Sequence, residues 1–237
     1  MKLVGMISSY LEGDLLIGAM RSLDKAGLDD MLVFEGPAGK PLEEYVPVSV
    51  MPRDVPHVAK HNRWRSDARK RNEMLAEAKR RHPGEELWGV WLDGDEVLVN
   101  AEYLRDLLQA VTWNDEHDGS GEPTIHWPLR VVEADGSIAV TMGRLVRLDL
   151  IASYDISVSV VTNKHGFEEA FGNVNEDARL WVEVWMKAVE TGRMIAWPPL
   201  PCEPHIYHRS HLRHPLRRGL RLHKQERDEL VKAGKLR

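Results

Sequence analysis

The sequence predicts an α/β fold, with a mixed, mostly parallel sheet flanked by helices. Short apolar segments alternate with segments of helical periodicity through the first half of the chain, as in sheets whose parallel strands are joined by helices. The apolar segments are almost continuous rather than alternating, which is typical of strands buried on both faces. With 237 residues, 43% of them apolar and 29% charged, the chain is long enough to bury the core of such a domain.

The first half supplies seven predicted elements in the order strand, helix, strand, strand, helix, strand, helix. The first helix ends at Gly27 and the second ends before Pro83, since glycine and proline commonly terminate helices. Pro47 places the third strand at an edge of the sheet, because proline cannot donate a ladder hydrogen bond. Asn100 is expected to cap the third helix. The predicted strands are 3–7, 31–34, 46–51 and 87–92, and the predicted helices are 14–26, 66–81 and 101–111.

The second half is less regular. Two strands, at 124–132 and 138–148, are predicted to form a hairpin through a turn around Gly136. An amphipathic helix is predicted at 175–191, and a proline-rich connection follows at 197–204.

The charge of the chain is acidic overall but unevenly distributed. The net charge of −5 argues against a nucleic-acid-binding domain, which is usually basic. Residues 205–237 differ, with ten Lys or Arg, three acids and five of the eleven histidines. We therefore expect one domain at 1–204 and a basic C-terminal segment at 205–237, which could cap the domain or contact a membrane surface peripherally.

The single cysteine, Cys202, excludes an internal disulfide and a cysteine-based zinc cluster. A reducing, cytoplasmic compartment is therefore expected. No apolar run is long enough to predict a transmembrane helix. Residues 1–7 predict a buried strand rather than a signal peptide.

An acidic turn follows the predicted central strand. Asp93, Gly94, Asp95 and Glu96 come directly after Leu92. In an extended segment residues two apart point the same way, so Asp93 and Asp95 can face one cation. Mg²⁺ and Mn²⁺ prefer such oxygen ligands together with substrate phosphates, and Gly94 would let a phosphate approach closely. The alternative is an ordinary acidic turn, since Asp-Gly is a frequent turn dipeptide.

Three predicted loops, 8–12, 35–40 and 93–96, follow predicted strands and should converge on one cleft, because ligands of parallel sheets bind beyond the carboxyl ends of the strands. Several cations, including Arg65 and Arg69, open the helix that precedes the central strand. Since a helix N-terminus favours anions, a bound phosphate would account for these cations. A solvated basic face is the alternative.

These segments together resemble the inverting family 2 glycosyltransferases and their relatives with the GT-A fold. The resemblance covers roughly residues 1–210, is strongest at the acidic turn, which matches the family's DxD motif, and is weak between 113 and 171. It implies a GT-A-type, Rossmann-like sheet with a nucleotide-sugar-binding half at 1–112 and an acceptor-binding half at 113–204. The segments that carry it are Met6-Ile7-Ser8-Ser9-Tyr10, Arg69 to Asn72, Trp91-Leu92-Asp93-Gly94-Asp95-Glu96, and Gly172 to Leu180.

The resemblance implies transfer of a sugar from a nucleotide sugar, expected to be UDP- or GDP-linked, to an acceptor hydroxyl with inversion. Asp95 would ligate Mn²⁺ or Mg²⁺ directly, Asp93 would contact the ribose or a metal-bound water, and His208 would complete the metal shell. His205 and His211 are alternatives to His208. The residues implied to bind the donor are Ser8, Ser9, Tyr10, Glu35, Arg65, Arg69, Asn72, Asp93, Gly94 and Arg209.

By the same resemblance, the catalytic base that takes the proton from the acceptor is Asp177, with Glu176 as second choice. Both lie at the start of a predicted helix, where simple capping is the alternative. Glu35 stands where family members carry acidic residues that hold the nucleoside. The acceptor could be a protein, a glycan or a small molecule, and the basic run beyond Pro215 could bind it, as an alternative to capping the domain or contacting a membrane.

Two other functions compete with a transferase. A nucleotidyltransferase also places carboxylates and a cation beneath a nucleotide, but such enzymes carry a glycine-rich, basic N-terminal loop that residues 8–13 do not resemble. A non-enzymatic binding module could use the basic segment at 205–237 to contact nucleic acid or anionic lipid. The acidic net charge argues against it, so no nucleic-acid partner is expected.

Overall fold

A computed structural model describes residues 1–10, 12, 14–37, 51–117, 126–136, 138–154, 160–163, 168–170, 203–209 and 212 of the protein. In chain order the elements are β1 (Lys2–Ser9), α1 (Asp14–Asp24), β2 (Asp30–Glu35), β3 (Val58–His61), α2 (Asp67–Arg81), β4 (Leu87–Asp93), β5 (Glu96–Val99), a 3₁₀ turn (Ala101–Tyr103), α3 (Leu104–His117), β6 (His126–Val132), β7 (Ile138–Arg147), β8 (Ile151–Tyr154), β9 (Val160–Asn163), β10 (Glu168–Ala170) and β11 (His205–His208).

The main sheet has the strand order β3-β2-β1-β4-β7-β6-β11-β5, and β8, β9 and β10 form a small second sheet. The first four strands of this order are parallel to one another. β7 is antiparallel to both β4 and β6, while β11 is parallel to β6 and antiparallel to β5. The predicted α/β class with a mixed, mostly parallel sheet is therefore confirmed.

The parallel strands β1, β2 and β4 are buried on both faces. Their side chains alternate between the two faces of the sheet, and each face is covered by helices. On one face, Leu3 and Ile7 of β1 join the core that includes the apolar side chains of α1 and α3. On the other face, Val4 and Met6 join the core that includes those of α2. The continuous apolar segments in the sequence reflect this two-sided burial.

Helix α2 begins where the sequence predicts it. Oγ of Ser66 accepts a hydrogen bond from the backbone N–H of Arg69 (3.2 Å), so Ser66 is the N-cap. Lys70, Met74 and Ala78 are buried on the face of α2 that meets the sheet. Nζ of Lys70, near the start of α2, donates to the carbonyl of Ser9 at the end of β1. Arg81, at the end of α2, pairs with Asp30 at the start of β2. α2 therefore starts at the carboxyl edge of the sheet and runs back towards the amino ends of the strands.

Asn100 does not cap the third helix, and that prediction was wrong. Its backbone is left-handed (φ 58°), its side chain makes no capping bond, and Nδ2 donates to the carbonyl of Glu203 (3.2 Å). Asparagine is among the residues that tolerate this conformation. The 3₁₀ turn intervenes before α3, and α3 continues to His117, beyond the predicted end at residue 111.

The described edge strand also differs from the predicted one. Residues 46–50 lie outside the described part of the chain, and Met51 is not in a strand. The strand at the β2 side of the sheet is β3, which pairs in parallel from Val58 to His61. Most of β3 is exposed, so it lacks the apolar signal by which the other strands are predicted. The predicted helix at 175–191 also lies outside the described residues.

Strand β11 lies in the segment that the sequence assigned to the basic tail. It inserts between β6 and β5, with Ile206 fully buried. His205–His208 therefore belong to the main sheet, and residues 213–237 lie outside the described part. None of the described helices is long and apolar enough to cross a membrane.

Asp29 ties the start of β1 to α3. Its Oδ2 accepts hydrogen bonds from the N–H of Leu3 (2.9 Å) and from Nη2 of Arg105 (2.8 Å), and Oδ1 accepts from Nζ of Lys2 (3.2 Å). Burial alone would raise the pKa of Asp29, but these bonds lower it from 3.8 to about 2. The ionised carboxylate therefore stabilises the fold fully above pH 3.8, and this stabilisation is lost as the pH falls towards 2.

We expect Asp29→Asn to lower the free energy of unfolding at pH 7 by about 1 kcal/mol, after allowance for solvent screening of a partly exposed group. The difference from wild type should shrink as the pH falls through the pKa of Asp29. Urea unfolding at pH 7 and near pH 3 measures it. Asp54→Asn is the control, since Asp54 makes an exposed ion pair to Arg21 at 3.7 Å. Equal effects of the two substitutions at pH 7 would contradict the prediction.

Candidate functional site

The acidic turn packs directly against the end of β1. Ser8 pairs with Asp93 across the two parallel strands, and the N–H of Gly94 donates to the carbonyl of Ser8 (3.0 Å). A Cβ on residue 94 would lie 2.7 Å from Oγ of Ser9. The glycine is therefore required by the close approach of Ser9, whereas the sequence suggested room for a phosphate.

Glu12 holds the loop that follows β1. Its carboxylate is buried and accepts hydrogen bonds from Oγ of Ser9 (2.9 Å) and from the N–H of Tyr10. This contact fixes Ser9 and Tyr10, two of the three loop residues predicted to bind the donor, and the third, Ser8, is held by its pairing with Asp93. Nothing in the sequence predicts the role of Glu12, since it depends on the fold of the loop back onto Ser9.

The two aspartates of the turn have different environments. β4 ends at Asp93, Gly94 and Asp95 form a turn, and β5 begins at Glu96. The argument that residues two apart in an extended segment point the same way therefore does not apply here. Asp95 is fully buried, whereas Asp93 is partly exposed.

The buried Glu96 forms an ion pair with Arg144, whose side chain is 14% exposed, next to the acidic turn. Oε2 of Glu96 accepts from the N–H of Asp93 (2.7 Å), and Oε1 accepts from Nη2 of Arg144 (2.6 Å). Burial raises the pKa of Glu96 to about 7, although Arg144 acts in the opposite direction. Burial would lower the pKa of Arg144, but Glu96, Asp93 and Asp95 raise it. Arg144 thus carries a positive charge among three acids.

Arg144 was not predicted as a site residue, although one feature of the sequence indicates it. It lies within the predicted apolar strand at 138–148, where a buried cation requires a partner. The identity of the partner depends on the pairing of β7 with β4, which places Arg144 near the acidic turn.

His208 brings β11 into the site. Its Nε2 lies 3.4 Å from Oδ2 of Asp95, and its Nδ1 lies 2.8 Å from Oε1 of Glu133. Burial would lower the pKa of His208, but the hydrogen bonds to Asp95 and Glu133 raise it to about 9. The imidazole is therefore protonated at neutral pH in this arrangement and bridges two carboxylates.

Arg209 attaches the acidic turn to α1 through hydrogen bonds to backbone carbonyls. Its backbone N–H and its Nε both donate to the carbonyl of Asp95 (3.0 and 3.2 Å). Its Nη2 donates to the carbonyl of Leu15 (2.7 Å), and a Cβ on Gly18 would lie 2.5 Å from Nη1. These contacts give Arg209 a structural role, and its contact with the donor stays a prediction.

Glu35 ends β2 as a buried carboxylate. Among the described residues no hydrogen bond satisfies its oxygens, although Nδ1 of His61 lies 3.1 Å from Oε2. Buried polar atoms are normally hydrogen-bonded, so a carboxylate in this state can accept a bond from a ligand. Lys70 joins this part of the site to β1, since its Nζ donates to the carbonyls of Ser9 (2.8 Å) and Gly36 (3.2 Å).

The predicted residues of α2 lie to one side of this cluster. Arg65 and Arg69 are exposed, and Arg69 lies 3.9 Å from Glu73 in an i,i+4 pair. Asn72 exchanges two hydrogen bonds with the backbone of Tyr154 (2.8 and 2.6 Å), which attaches α2 to β8. An open groove of about 490 Å³ lies between α2 and β8, lined in part by Arg69, Asn72 and Tyr154.

Arg71 is a candidate that the sequence did not predict, although its neighbours Arg69 and Asn72 were predicted to bind the donor. Its guanidinium lies 4.6 Å from the ring centroid of Trp91 and is partly buried. Neither an ion pair nor a hydrogen bond to its side chain is found among the described residues. A stacked guanidinium of this kind is suited to bind an anion.

The structure thus brings together seven of the predicted residues, Ser8, Ser9, Tyr10, Asp93, Gly94, Asp95 and His208. Glu35 lies beside Ser9 at the end of the neighbouring strand β2, and Arg209 binds the backbone carbonyl of Asp95. His205, the alternative to His208, instead donates from Nδ1 to the backbone carbonyl of Glu203 (3.1 Å). The predicted bases Asp177 and Glu176, and the alternative ligand His211, lie outside the described residues.

The described side chains can supply part of the coordination sphere of a divalent cation, but not all of it. In the described part of the chain, no group of three or more His, Cys, Asp or Glu side chains is arranged to hold an ion. The buried carboxylate of Asp95 can supply an oxygen ligand, and the imidazole of His208 can supply a nitrogen ligand once the cation displaces the proton from Nε2. Further ligands would come from a bound diphosphate and water, as is usual for cations that assist phosphate chemistry.

No family model matches the chain, and no curated protein matches it in sequence. Among solved structures it is similar to TarS of S. aureus, at 16% identity and a TM-score of 0.35, over 58% of this chain and 23% of TarS. The 1–349 fragment of TarS matches over 58% of this chain and 37% of the fragment, at 16% identity and a TM-score of 0.35. Its complex with UDP-GlcNAc matches over 56% and 34%, at 17% identity and a TM-score of 0.32. A likeness of this size assigns neither a family nor an activity to the chain.

Proposed function

We propose that this protein is a glycosyltransferase that moves a sugar from a nucleotide sugar to an acceptor hydroxyl, with the help of Mn²⁺ or Mg²⁺. The observation that carries the proposal is the buried Asp95 carboxylate facing His208, directly beside the loop that ends β1. The resemblance of the acidic turn to the DxD motif of family 2 glycosyltransferases supports the same function.

The position of the cluster supports a nucleotide as ligand. β2, β1 and β4 are parallel neighbours, and their carboxyl ends carry Glu35, Ser9 and Asp93. Ligands of such sheets bind beyond these ends. The donor would therefore lie across the three strand ends, with its diphosphate at the acidic turn and its nucleoside towards Glu35.

Each group of residues then has a proposed chemical role. A bound cation would offset the charge that builds on the departing nucleoside diphosphate. Asp95 and His208 would hold that cation, and the buried Glu35 would accept hydrogen bonds from the nucleoside. Asp177, or Glu176 in its place, would take the proton from the acceptor hydroxyl. The exposed Arg65 and Arg69, and the stacked Arg71, would serve as cationic contacts to the donor.

The donor is proposed to be UDP- or GDP-linked, and the acceptor a protein, a glycan or a small molecule in the cytoplasm. Inversion at the anomeric carbon follows from the resemblance to family 2. The part of the basic segment (205–237) that follows β11 is proposed to contact the acceptor or a membrane surface.

The products of sugar-nucleotide breakdown test the proposal. The full chain is incubated with UDP- and GDP-sugars and Mg²⁺, which is diamagnetic, and the reaction is followed by phosphorus and proton NMR with water as the acceptor. A glycosyltransferase releases a nucleoside diphosphate, and an inverting one initially releases a sugar of opposite anomeric configuration to the donor. Formation of a nucleoside triphosphate and a sugar phosphate on addition of pyrophosphate would instead identify a nucleotidyltransferase.

A further inference from the structure

Glu133 follows β6 and contacts His208, which lies on the neighbouring strand β11. β6 and β11 are parallel, and Val132 pairs with Tyr207, so the next residue of each strand also lies side by side. Oε1 of Glu133 lies 2.8 Å from Nδ1 of His208, while Nε2 of the same ring lies 3.4 Å from Oδ2 of Asp95. Each ring nitrogen therefore faces a different carboxylate.

The two carboxylates are not equivalent. Asp95 is fully buried at the acidic turn, whereas the side chain of Glu133 is 35% exposed. A histidine that binds a cation through one nitrogen usually donates the N–H of its other nitrogen to a carboxylate or carbonyl, which fixes both the tautomer and the ring orientation. Glu133 occupies that second position.

We propose that Glu133 is a positioning residue, which holds the His208 ring with Nε2 directed at a divalent cation beside Asp95 and thereby strengthens cation binding. The inference rests on the proposed function, since it requires the cation. Glu133 itself would not touch the cation or the donor. Nothing in the sequence predicts this role, because Glu133 and His208 are joined only by the pairing of β6 with β11.

The chain offers a matched control on the same two strands. Arg130 of β6 and Glu203, which precedes β11, form an ion pair at 2.6 Å in which each side chain is about half exposed. Glu203→Gln removes one negative charge from the same region without touching His208. Any general effect of charge on cation binding would therefore appear in this variant as well.

Titration calorimetry with Mn²⁺ measures the effect, on the full chain and in the presence of UDP. Glu133→Ala is expected to weaken Mn²⁺ binding about 10- to 100-fold, the range typical of lost carboxylate–histidine contacts. Glu133→Gln should retain most of the affinity, because its amide oxygen can accept the same bond from Nδ1. Glu203→Gln should bind Mn²⁺ like the wild type. Thermal unfolding of each variant establishes that it is folded.

A second measurement reports on the ring itself. With Mg²⁺ bound, nitrogen NMR of the histidine side chains should show His208 protonated at Nδ1 in the wild type and in Glu133→Gln. In Glu133→Ala this tautomer should lose its preference. A purely structural role of Glu133 would change unfolding without changing either the tautomer or the Mn²⁺ affinity.

The outcomes separate the two proposals. If the wild type binds Mn²⁺ and Glu133→Ala binds it equally well, the positioning role is overturned while the proposed function stands. If Glu133→Gln is as weak as Glu133→Ala, negative charge rather than ring orientation matters, and the positioning role is again overturned. If the wild type does not bind Mn²⁺, the metal-dependent function fails, and this inference fails with it.

Discussion

Asp95→Asn is expected to lower the rate of sugar-nucleotide breakdown by about 100-fold or more, since groups that stabilise developing charge at a reacting centre commonly contribute this much. Asparagine preserves the size of the side chain and leaves the backbone carbonyl of Asp95, which binds Arg209, in place. The substitution removes the negative charge that faces His208 at 3.4 Å. The rate is measured by release of the nucleoside diphosphate in the presence of saturating Mn²⁺.

Asp149→Asn is the control for this substitution. Asp149 is an aspartate in an ion pair with Arg147 (2.9 Å), and it accepts a hydrogen bond from the N–H of Leu87 at the amino end of β4. Its loss should lower the free energy of unfolding but leave the rate of the folded protein unchanged. Equal rates for Asp95→Asn and wild type would show that the acidic turn does not take part in the reaction.

Gly36→Ala is expected to lower the free energy of unfolding by about 3 kcal/mol or more, because it combines a strained backbone with a steric clash. Gly36 has φ of +146°, which side chains rarely tolerate, and a Cβ would lie 1.7 Å from the carbonyl oxygen of Asn62. The surrounding contacts leave little room to move, since the N–H of Gly36 donates to Ser9 (2.9 Å) and Lys70 donates to its carbonyl. Urea unfolding followed by tryptophan fluorescence measures the change.

Gly84→Ala separates the two causes. Gly84 also has a positive φ, +74°, but a Cβ there would meet nothing within 4 Å. Its substitution should cost about 1 to 2 kcal/mol, from the backbone alone. If Gly36→Ala is no more destabilising than Gly84→Ala, the described packing of Gly36 against Asn62 is wrong.

The buried parallel strands could be predicted from the sequence because their apolar residues are continuous. β1, β2 and β4 are buried on both faces, and their segments contain few polar residues before the last position. β3 and β11 could not be predicted in the same way. β3 is mostly exposed, and Ile206 is the fully buried residue of β11, between histidines and a tyrosine. Their places in the sheet depend on pairing with distant strands.

The candidate site was partly predictable, because two of its segments follow strands that the sequence predicts. The acidic turn and the end of β1 follow recognisable strands, so their meeting at one edge of the sheet could be expected from topology. The side-chain geometry could not, because Gly94 and Asp95 form a turn rather than an extended segment. Arg144 and Glu133 reach the site through β7 and β6, and nothing local in the sequence links them to Asp95.

Calorimetric titration of the wild-type chain with UDP and GDP, in Mn²⁺ and then in excess chelator, tests the central claim most directly. We predict that one of these nucleotides binds in the presence of Mn²⁺ and that chelation abolishes or greatly weakens the binding. The same nucleotide should bind Asp95→Asn only weakly in either condition. Binding of neither nucleotide in the presence of Mn²⁺ would contradict the assignment of the acidic turn as a nucleotide-sugar site.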